Sequence, residues 1–177
     1  MTVVSHYASP LGAITLCSDG TAVTGLWFDG QKYFGRTLPA AYEEAAAPVL
    51  QQAEAYLTAY FAGRAPEALP PLRPAGTPFQ QAVWAELLRI PRGQTTTYGR
   101  IAQALARRQA MARPCAQAVG SAVGRNPISI LIPCHRVVGA GGSLTGYAGG
   151  IGKKLALLRL EGVDTRGLTA PRRGTAL

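Results

Sequence analysis

Apolar positions in the first third of the chain fall into short runs separated by turn residues. Leu11 to Leu16 and Ala22 to Phe28 read as strands joined at Ser18-Asp19-Gly20, and Asp29-Gly30 marks a further turn, so a small antiparallel sheet is expected. The period then changes. Val49, Leu50, Ala53, Leu57, Tyr60 and Phe61 recur at mostly helical spacing and stop at Gly63, which suits the residue after a helix C-cap. The pattern predicts one helix lying over one face of the sheet.

Five of the thirteen prolines, Pro66, Pro70, Pro71, Pro74 and Pro78, then crowd together, removing backbone donors and disfavouring helix and central strand. This reads as a linker. After it the spacing is helical again: Thr77 can cap a helix with Pro78 at its first position and Gln80 at its third, with Phe79, Val83, Leu87 and Ile90 as its buried stripe. Pro91-Arg92-Gly93 breaks that helix, and Thr97 can cap another bearing Tyr98, Ile101, Ala102 and Leu105. A third stretch, Cys115 to Val123, is built almost wholly of small residues, which lets a helix lie close against another surface. This pair of short helices joined by a turn suggests a helix-turn-helix, although many α-helical domains contain such pairs. An apolar run from Ile128 to Ile132, a glycine-rich stretch from Gly139 to Gly152 and a last helix with Leu155, Leu158 and Leu160 complete the chain. The expected division is a first domain over 1–65, a linker over 66–77, a second domain over 78–163 and a basic, mobile tail over 164–177.

Charge respects that division. Residues 1–75 hold four basic and six acidic side chains, whereas residues 76–177 hold fourteen and three. Between Glu86 and Glu161 there is no acidic residue, while Arg89, Arg92, Arg100, Arg107, Arg108, Arg113, Arg125, Arg136, Lys153, Lys154 and Arg159 all fall inside. That is the footprint of a surface that binds a polyanion, and nucleic acid is the expected partner. No run approaches the ~20 apolar residues of a membrane span, and Met1 to Pro10 lacks the features of a secretory leader, so no membrane partner is expected. Cys17, Cys115 and Cys134 show no CxxC spacing, and their odd number suits reduced thiols in a cytoplasmic setting.

The densest chemistry is Ile132-Pro133-Cys134-His135-Arg136-Val137, where a thiol, an imidazole and a guanidinium are neighbours. Thiolate is the nucleophilic form, and nearby cations are expected to lower the pKa of Cys134. Cys134 and His135 are adjacent in sequence, so their side chains diverge, and a bridging water is the expected link between them. A lone cysteine is equally read as an inert core thiol, Glu161 as a solvated charge at a helix end, Tyr98 as a core aromatic and Asn126 as a turn residue before Pro127.

Taken in order, Asn126-Pro127, Pro133-Cys134-His135-Arg136-Val137, Gly146-Tyr147 and Glu161-Gly162 resemble the O6-alkylguanine-DNA alkyltransferase family. The match runs from Thr77-Pro78-Phe79-Gln80 through Gly162, about half the chain. The resemblance implies a fold of class α/β plus α: a small ribonuclease-H-like N-terminal domain with an antiparallel sheet, then a helical domain whose winged helix-turn-helix binds the minor groove of double-stranded DNA. It implies that alkylated guanine, and O4-alkylthymine besides, is flipped out and gives its alkyl group irreversibly to Cys134. On the same basis His135 is the base reached through water, Glu161 orients the imidazole, Tyr98 donates a proton to the departing guanine, and Asn126 braces the turns around the thiol. Val137 and Ala148 backbone groups and Tyr147 would line the base pocket, and the chain would act as a monomer without a cofactor.

The DNA contacts implied lie at Gln117, Ala118, Gly120 and Ser121, with Arg113 and Arg125 beside them. Here the chain departs from the family pattern, because Gln117 stands where an arginine usually fills the gap left by the flipped base, and the segment before it is several residues longer than usual. Glutamine lacks the charge and stacking plane of guanidinium, so weaker binding or slower flipping is expected, with Arg113 or Arg125 compensating in part. Some relatives carry zinc in the first domain, but His6 and Cys17 are the only plausible ligands there and no metal is expected. Two other readings are a non-catalytic DNA-binding protein, against which Cys134 argues, and a cysteine hydrolase, for which only His6 and His135 could serve as base.

Overall fold

The computed structural model describes residues 1–110 and 112–171; Arg172 and Arg173 of the basic tail lie outside them. The chain divides into two compact units, Met1–Ala75 with Pro127–Leu131, and Gly76–Asn126 with Ile132–Leu177.

In the first unit four strands, β1 (Val3–Ser9), β2 (Gly12–Ser18), β3 (Val23–Phe28) and β4 (Glu43–Glu44), form a sheet in the order β3-β2-β1-β4. The β1–β2 and β2–β3 pairs are antiparallel and β4 runs parallel to β1. The sequence reading missed β1, and its side chains explain why. Ser5 Oγ donates to Glu54 at 2.7 Å and the Tyr7 hydroxyl pairs with Thr58 at 3.1 Å, so the side that meets the helix α1 (Pro48–Phe61) is polar and gives no strand-like hydrophobic run. Helix α1 buries Val49, Leu50, Ala53, Leu57 and Tyr60, as its spacing predicts. Trp27, with Val4 and Cys17, forms a cluster covered by Leu38. Its indole lies across Gly25, where a Cβ would come within 2.0 Å of the ring, so only glycine admits that packing.

The proline-rich stretch is not a free tether. Val23 N–H donates to Pro71 O and Arg73 N–H donates to Val23 O, both at 2.8 Å, and Arg73 forms an ion pair with Asp19. Prolines remove donors only at their own positions; Arg73 keeps the one this bridge needs. Residues 66–75 therefore belong to the first unit. Pro127–Leu131 belongs there as well, held by Leu26 N–H to Pro127 O and Ser129 N–H to Leu26 O, each 2.9 Å. Within it Ile130 takes φ 68°, a rare conformation for a β-branched residue.

The second unit holds the helices α2 (Pro78–Leu87), α3 (Tyr98–Arg108), α4 (Ala116–Gly124) and α5 (Ile151–Leu160), with a short parallel pair of β5 (Thr96–Thr97) and β6 (Val137–Val138). Thr77 and Gln80 make the reciprocal capping box, and Thr97 caps α3 through Arg100 N–H. Helix α4 buries Val119, Gly120, Ala122 and Val123, and the Trp84 indole N–H of α2 donates to Ala122 O at 2.9 Å. The small residues of α4 thus allow close packing within this unit. Among the described residues no helix is long and apolar enough to cross a membrane.

Candidate active site

Cys134 opens a single helical turn, Cys134–Arg136, entered from Pro133. Its side chain is buried, and Asn126, just beyond α4, donates from Nδ2 both to Cys134 Sγ at 3.2 Å and to Ile132 O at 2.9 Å. One amide therefore ties the thiol to the strand of chain leading into it. Next to it His135, fully buried, shares a 2.6 Å hydrogen bond between Nε2 and Glu161 Oε1 at the C-terminal end of α5. With Glu161 ionised, Nε2 carries the proton in this assignment, which leaves Nδ1 as the acceptor.

Arg136 and, at 3.4 Å, Gly93 N–H also donate to that carboxylate. Arg136 Nε donates to Glu161 Oε2 at 2.8 Å, Nη2 to Oε1 at 3.0 Å, and Nη1 to Ile90 O at 2.7 Å. A forked guanidinium matched to both oxygens is the strong geometry for such a pair. Burial alone would raise the Glu161 pKa, but the hydrogen bonds from His135 and Arg136 outweigh it and hold the carboxyl well below the usual range. His135 moves the other way from a simple ion pair: burial lowers its pKa, opposed by Glu161, so the resting imidazole is neutral.

The thiol does not follow the sequence expectation. Burial pushes the Cys134 pKa up; the Asn126 hydrogen bond and the charge of Lys154 pull it down without reversing the shift. Loss of hydration acts on the thiolate from all sides, whereas each cation acts at a distance. The resting group is a protected neutral thiol.

Lys154 was counted among the surface charges, and it is wholly buried. Its Nζ donates to Val137 O and, at 2.8 Å, to Thr145 O, while the Tyr98 hydroxyl donates to the same Thr145 carbonyl at 2.9 Å. Burial draws the Lys154 pKa down to about 8, with the Cys134 thiol opposing, and pushes that of Tyr98 up to about 12. Both groups tie the glycine-rich stretch to the helices. Tyr147 is buried with its ring edge-on to His135, centroids 6.4 Å apart, and Ala148 is half-buried beside it. Val137 is buried with its carbonyl already accepting from Lys154, so one lone pair of that oxygen serves the fold.

On α4, Gln117 and Arg113 just before it are exposed, and Ala118 and Ser121 are half-buried. Ser121 accepts a hydrogen bond from Arg125, which lies at the helix end. Gly120 is buried in the inner face of α4, so its lack of a side chain serves packing more than contact with a ligand. Arg136 and Lys154 drop out of the expected basic surface as buried groups, and Glu86 forms ion pairs with Arg89 at 3.7 Å and Arg108 at 3.5 Å. Sequence reasoning missed Arg136 and Lys154 as site residues. The first was legible as part of the Cys-His-Arg string, whereas nothing in the sequence separates Lys154 from half-buried Lys153.

Two family models match the chain: the 6-O-methylguanine DNA methyltransferase ribonuclease-like domain over residues 3–73, and the DNA binding domain of the same enzymes over residues 78–163. The chain belongs to the 6-O-methylguanine DNA methyltransferase family. Methylated-DNA--protein-cysteine methyltransferase of Mycobacterium tuberculosis (strain H37Rv) is 46% identical over 160 residues, covering 88% of this chain and 92% of its own. The Haemophilus influenzae protein of the same name is 40% identical over 159 residues, covering 89% and 84%. Among solved structures, Mycobacterium tuberculosis OGT in complex with DNA superimposes with a TM-score of 0.79 at 43% identity, covering 90% of this chain and 92% of that one.

This member of the methyltransferase family should lose stability on acidification, and the sign follows from both shifts. His135 has a folded pKa below its ordinary 6.5, so below that pH the unfolded chain binds a proton that the folded chain refuses. Glu161, also depressed, adds stability above the ordinary carboxylate pKa of about 4.3 that is lost as pH falls further. Melting temperature should therefore decline steadily from about pH 6.5 to pH 4. His135→Asn should flatten the part of that decline above about pH 5; an unaltered slope would assign it to other groups.

Proposed function

We propose that this protein repairs DNA by direct reversal, moving the alkyl group of O6-alkylguanine, and of O4-alkylthymine, onto Cys134 in a single turnover. The observation that carries this reading is a buried thiol braced by Asn126 beside a His135–Glu161 pair, in a chain of the methyltransferase family. Cys134 Sγ attacks the alkyl carbon in line with the C–O6 bond. The C–S bond forms, the C–O bond breaks with its electron pair leaving on O6, and the thiol proton passes through a water to His135 Nδ1. Glu161, kept ionised, stabilises the imidazolium. The Tyr98 hydroxyl, protonated at any physiological pH, turns from Thr145 O toward the departing guanine and supplies the hydrogen bond and proton that let it leave neutral. The thioether has no easy reversal, so the protein is consumed.

A base inside a duplex cannot present that carbon to a buried thiol, so the nucleotide is flipped, at a cost of a few kcal/mol. The pocket receiving it is formed by Val137, Tyr147 and Ala148. Helices α3 and α4 act as a winged helix-turn-helix at the minor groove, with Gln117, Ala118 and Ser121 facing DNA and Arg113 and Arg125 flanking them; a relative crystallised with DNA supports this partner. One chain carries every group in the scheme, so a monomer without a cofactor suffices, and a cytoplasmic setting keeps the thiols reduced. Intact mass tests the reading: after incubation with duplex DNA containing O6-methylguanine, the protein should gain one methylene, ~14 Da, and stop at one equivalent, while Cys134→Ser gains nothing. Tight lesion binding with no gain in mass would make the protein a sensor.

A further inference from the structure

The glycine-rich stretch after β6 has little regular structure, a turn at Ala140–Gly142 closed by Gly139 N–H to Ser143 O at 2.7 Å and a second turn by Gly150 N–H to Tyr147 O at 3.0 Å, and it carries Thr145, Tyr147 and Ala148 into the site. Lys154 and Tyr98 hold it from one side at Thr145 O. The other side is held by the chain beyond Val163, which the sequence reading took for a mobile tail and which lies past the end of the matched family domain at residue 163. Leu144 N–H donates to Thr169 O at 2.9 Å and Thr169 N–H donates to Gly142 O at 3.0 Å, a two-bond bridge closed immediately before Thr145.

That bridge is built rather than incidental. Asp164 accepts from Arg166 N–H at 3.1 Å, Arg159 Nε donates to Thr165 Oγ1 at 3.3 Å, and Leu168 N–H closes a turn onto Thr165 O at 3.1 Å, which together aim Leu168 and Thr169 back at the loop. Leu168 then packs against the buried cluster of Val138, Leu144 and Leu158. The approach is close enough to exclude any side chain at Gly142, where a Cβ would meet Gly167 O at 2.6 Å.

We propose that Asp164–Pro171 is a clamp on the base-pocket loop and a determinant of how tightly the protein holds a flipped, alkylated base. The inference rests on the reading of Tyr147 and Ala148 as pocket residues. The Gly139–Ser143 bond and the buried Leu144 side chain shape the loop and Thr145 O anchors it on one side; the backbone bonds to Thr169 at Gly142 and Leu144 add the opposite anchor and narrow the positions open to Tyr147, so binding a base costs less ordering entropy. The clamp is a positioning element, which predicts an effect on lesion preference and none on general DNA affinity.

The test uses the full chain with Cys134→Ser, which cannot react, and fluorescence anisotropy with one duplex carrying O6-methylguanine and a matched undamaged duplex. Thr169→Pro removes the donor to Gly142 O, and Gly142→Ala pushes on Gly167 from the opposite side; neither changes charge. Each should lower the preference for the lesion about three- to tenfold, the scale of one or two hydrogen bonds, while affinity for undamaged duplex stays close to that of the parent. Thr169→Pro should keep the parent's melting temperature, whereas Gly142→Ala, strained at φ 82° and against Gly167 O, should lower it and is compared at a temperature where it is folded. In the Cys134 chain both should still take up one methyl. Unchanged preference in both folded variants would overturn the clamp, and so would an equal loss on both duplexes, which would make the segment a DNA contact. Absence of any preference in the parent, with no methyl taken up by the Cys134 chain, would instead overturn the pocket reading itself.

Discussion

Arg136→Met should lower the melting temperature by roughly 10 °C, from a stability loss of about 3–5 kcal/mol. The Arg136 side chain is 11% exposed and meets a carboxylate whose side chain is fully buried, through two hydrogen bonds, with a third to Ile90 O. Removing it takes away the charged partner of Glu161, leaves that carboxylate with His135 and a long 3.4 Å hydrogen bond from Gly93 N–H in a medium that hydrates the charge poorly, and strands a buried carbonyl. The Glu161 pKa should then rise, because one of the two donors that overcome burial is gone. Arg136→Lys should recover little, since ammonium cannot reproduce the fork that spans both carboxylate oxygens. Thermal melting at pH 7 reads the effect. A shift of under about 3 °C would mean that water replaces the guanidinium and that the carboxylate is far less desolvated than its burial implies.

Glu161→Gln should slow methyl transfer by about two to four orders of magnitude, the range expected when a general base loses the group that orients and charges it. The neutral amide keeps the shape but withdraws the charge that stabilises imidazolium, and its NH2 can turn toward His135 Nε2, driving that nitrogen into the acceptor tautomer. Nδ1 would then carry the proton and could not accept one from Cys134. Single-turnover rates on a methylated duplex, taken at a temperature where both forms are folded, measure the loss. Affinity for the duplex should hold, because Glu161 lies within the unit and not among the expected DNA contacts. A rate within threefold of the parent, in contrast to the loss predicted here, would remove Glu161 from the proton path and leave it as the anchor of Arg136.

Much of this protein is local in origin, and that part was readable. Thr77 with Gln80, and Thr97 before Tyr98, announce helix starts because capping involves atoms only a few residues apart. The period of α1 and the small-residue composition of α4 likewise follow from neighbours in sequence. Cys134-His135-Arg136 drew attention because three reactive side chains stand side by side, and the surrounding string carried the family resemblance. Where local signals were weak, the reading failed: β1 is polar on the side facing α1, and the prolines of 66–75 concealed the one donor, Arg73 N–H, that joins this stretch to β3.

The sequence by itself determined the helices, the Thr77 and Thr97 caps, the candidate nucleophile and the uneven charge of the two halves. Only the tertiary structure decided which charges are outside and which groups meet. Lys153 and Lys154 are adjacent and chemically identical, yet the second is buried and ties Val137 to Thr145. Cys134 directly precedes His135 and Arg136 in sequence and still keeps its proton, because desolvation depends on everything packed around the sulfur. Glu161, which position alone reads as a solvated helix-end charge and only the family resemblance pairs with His135, is joined to His135 and Arg136 across about 25 residues of chain. Capping and periodicity act over one or two helical turns and are therefore encoded locally; burial, pKa and the pairing of Thr169 with Gly142 depend on segments brought together only when the chain closes on itself.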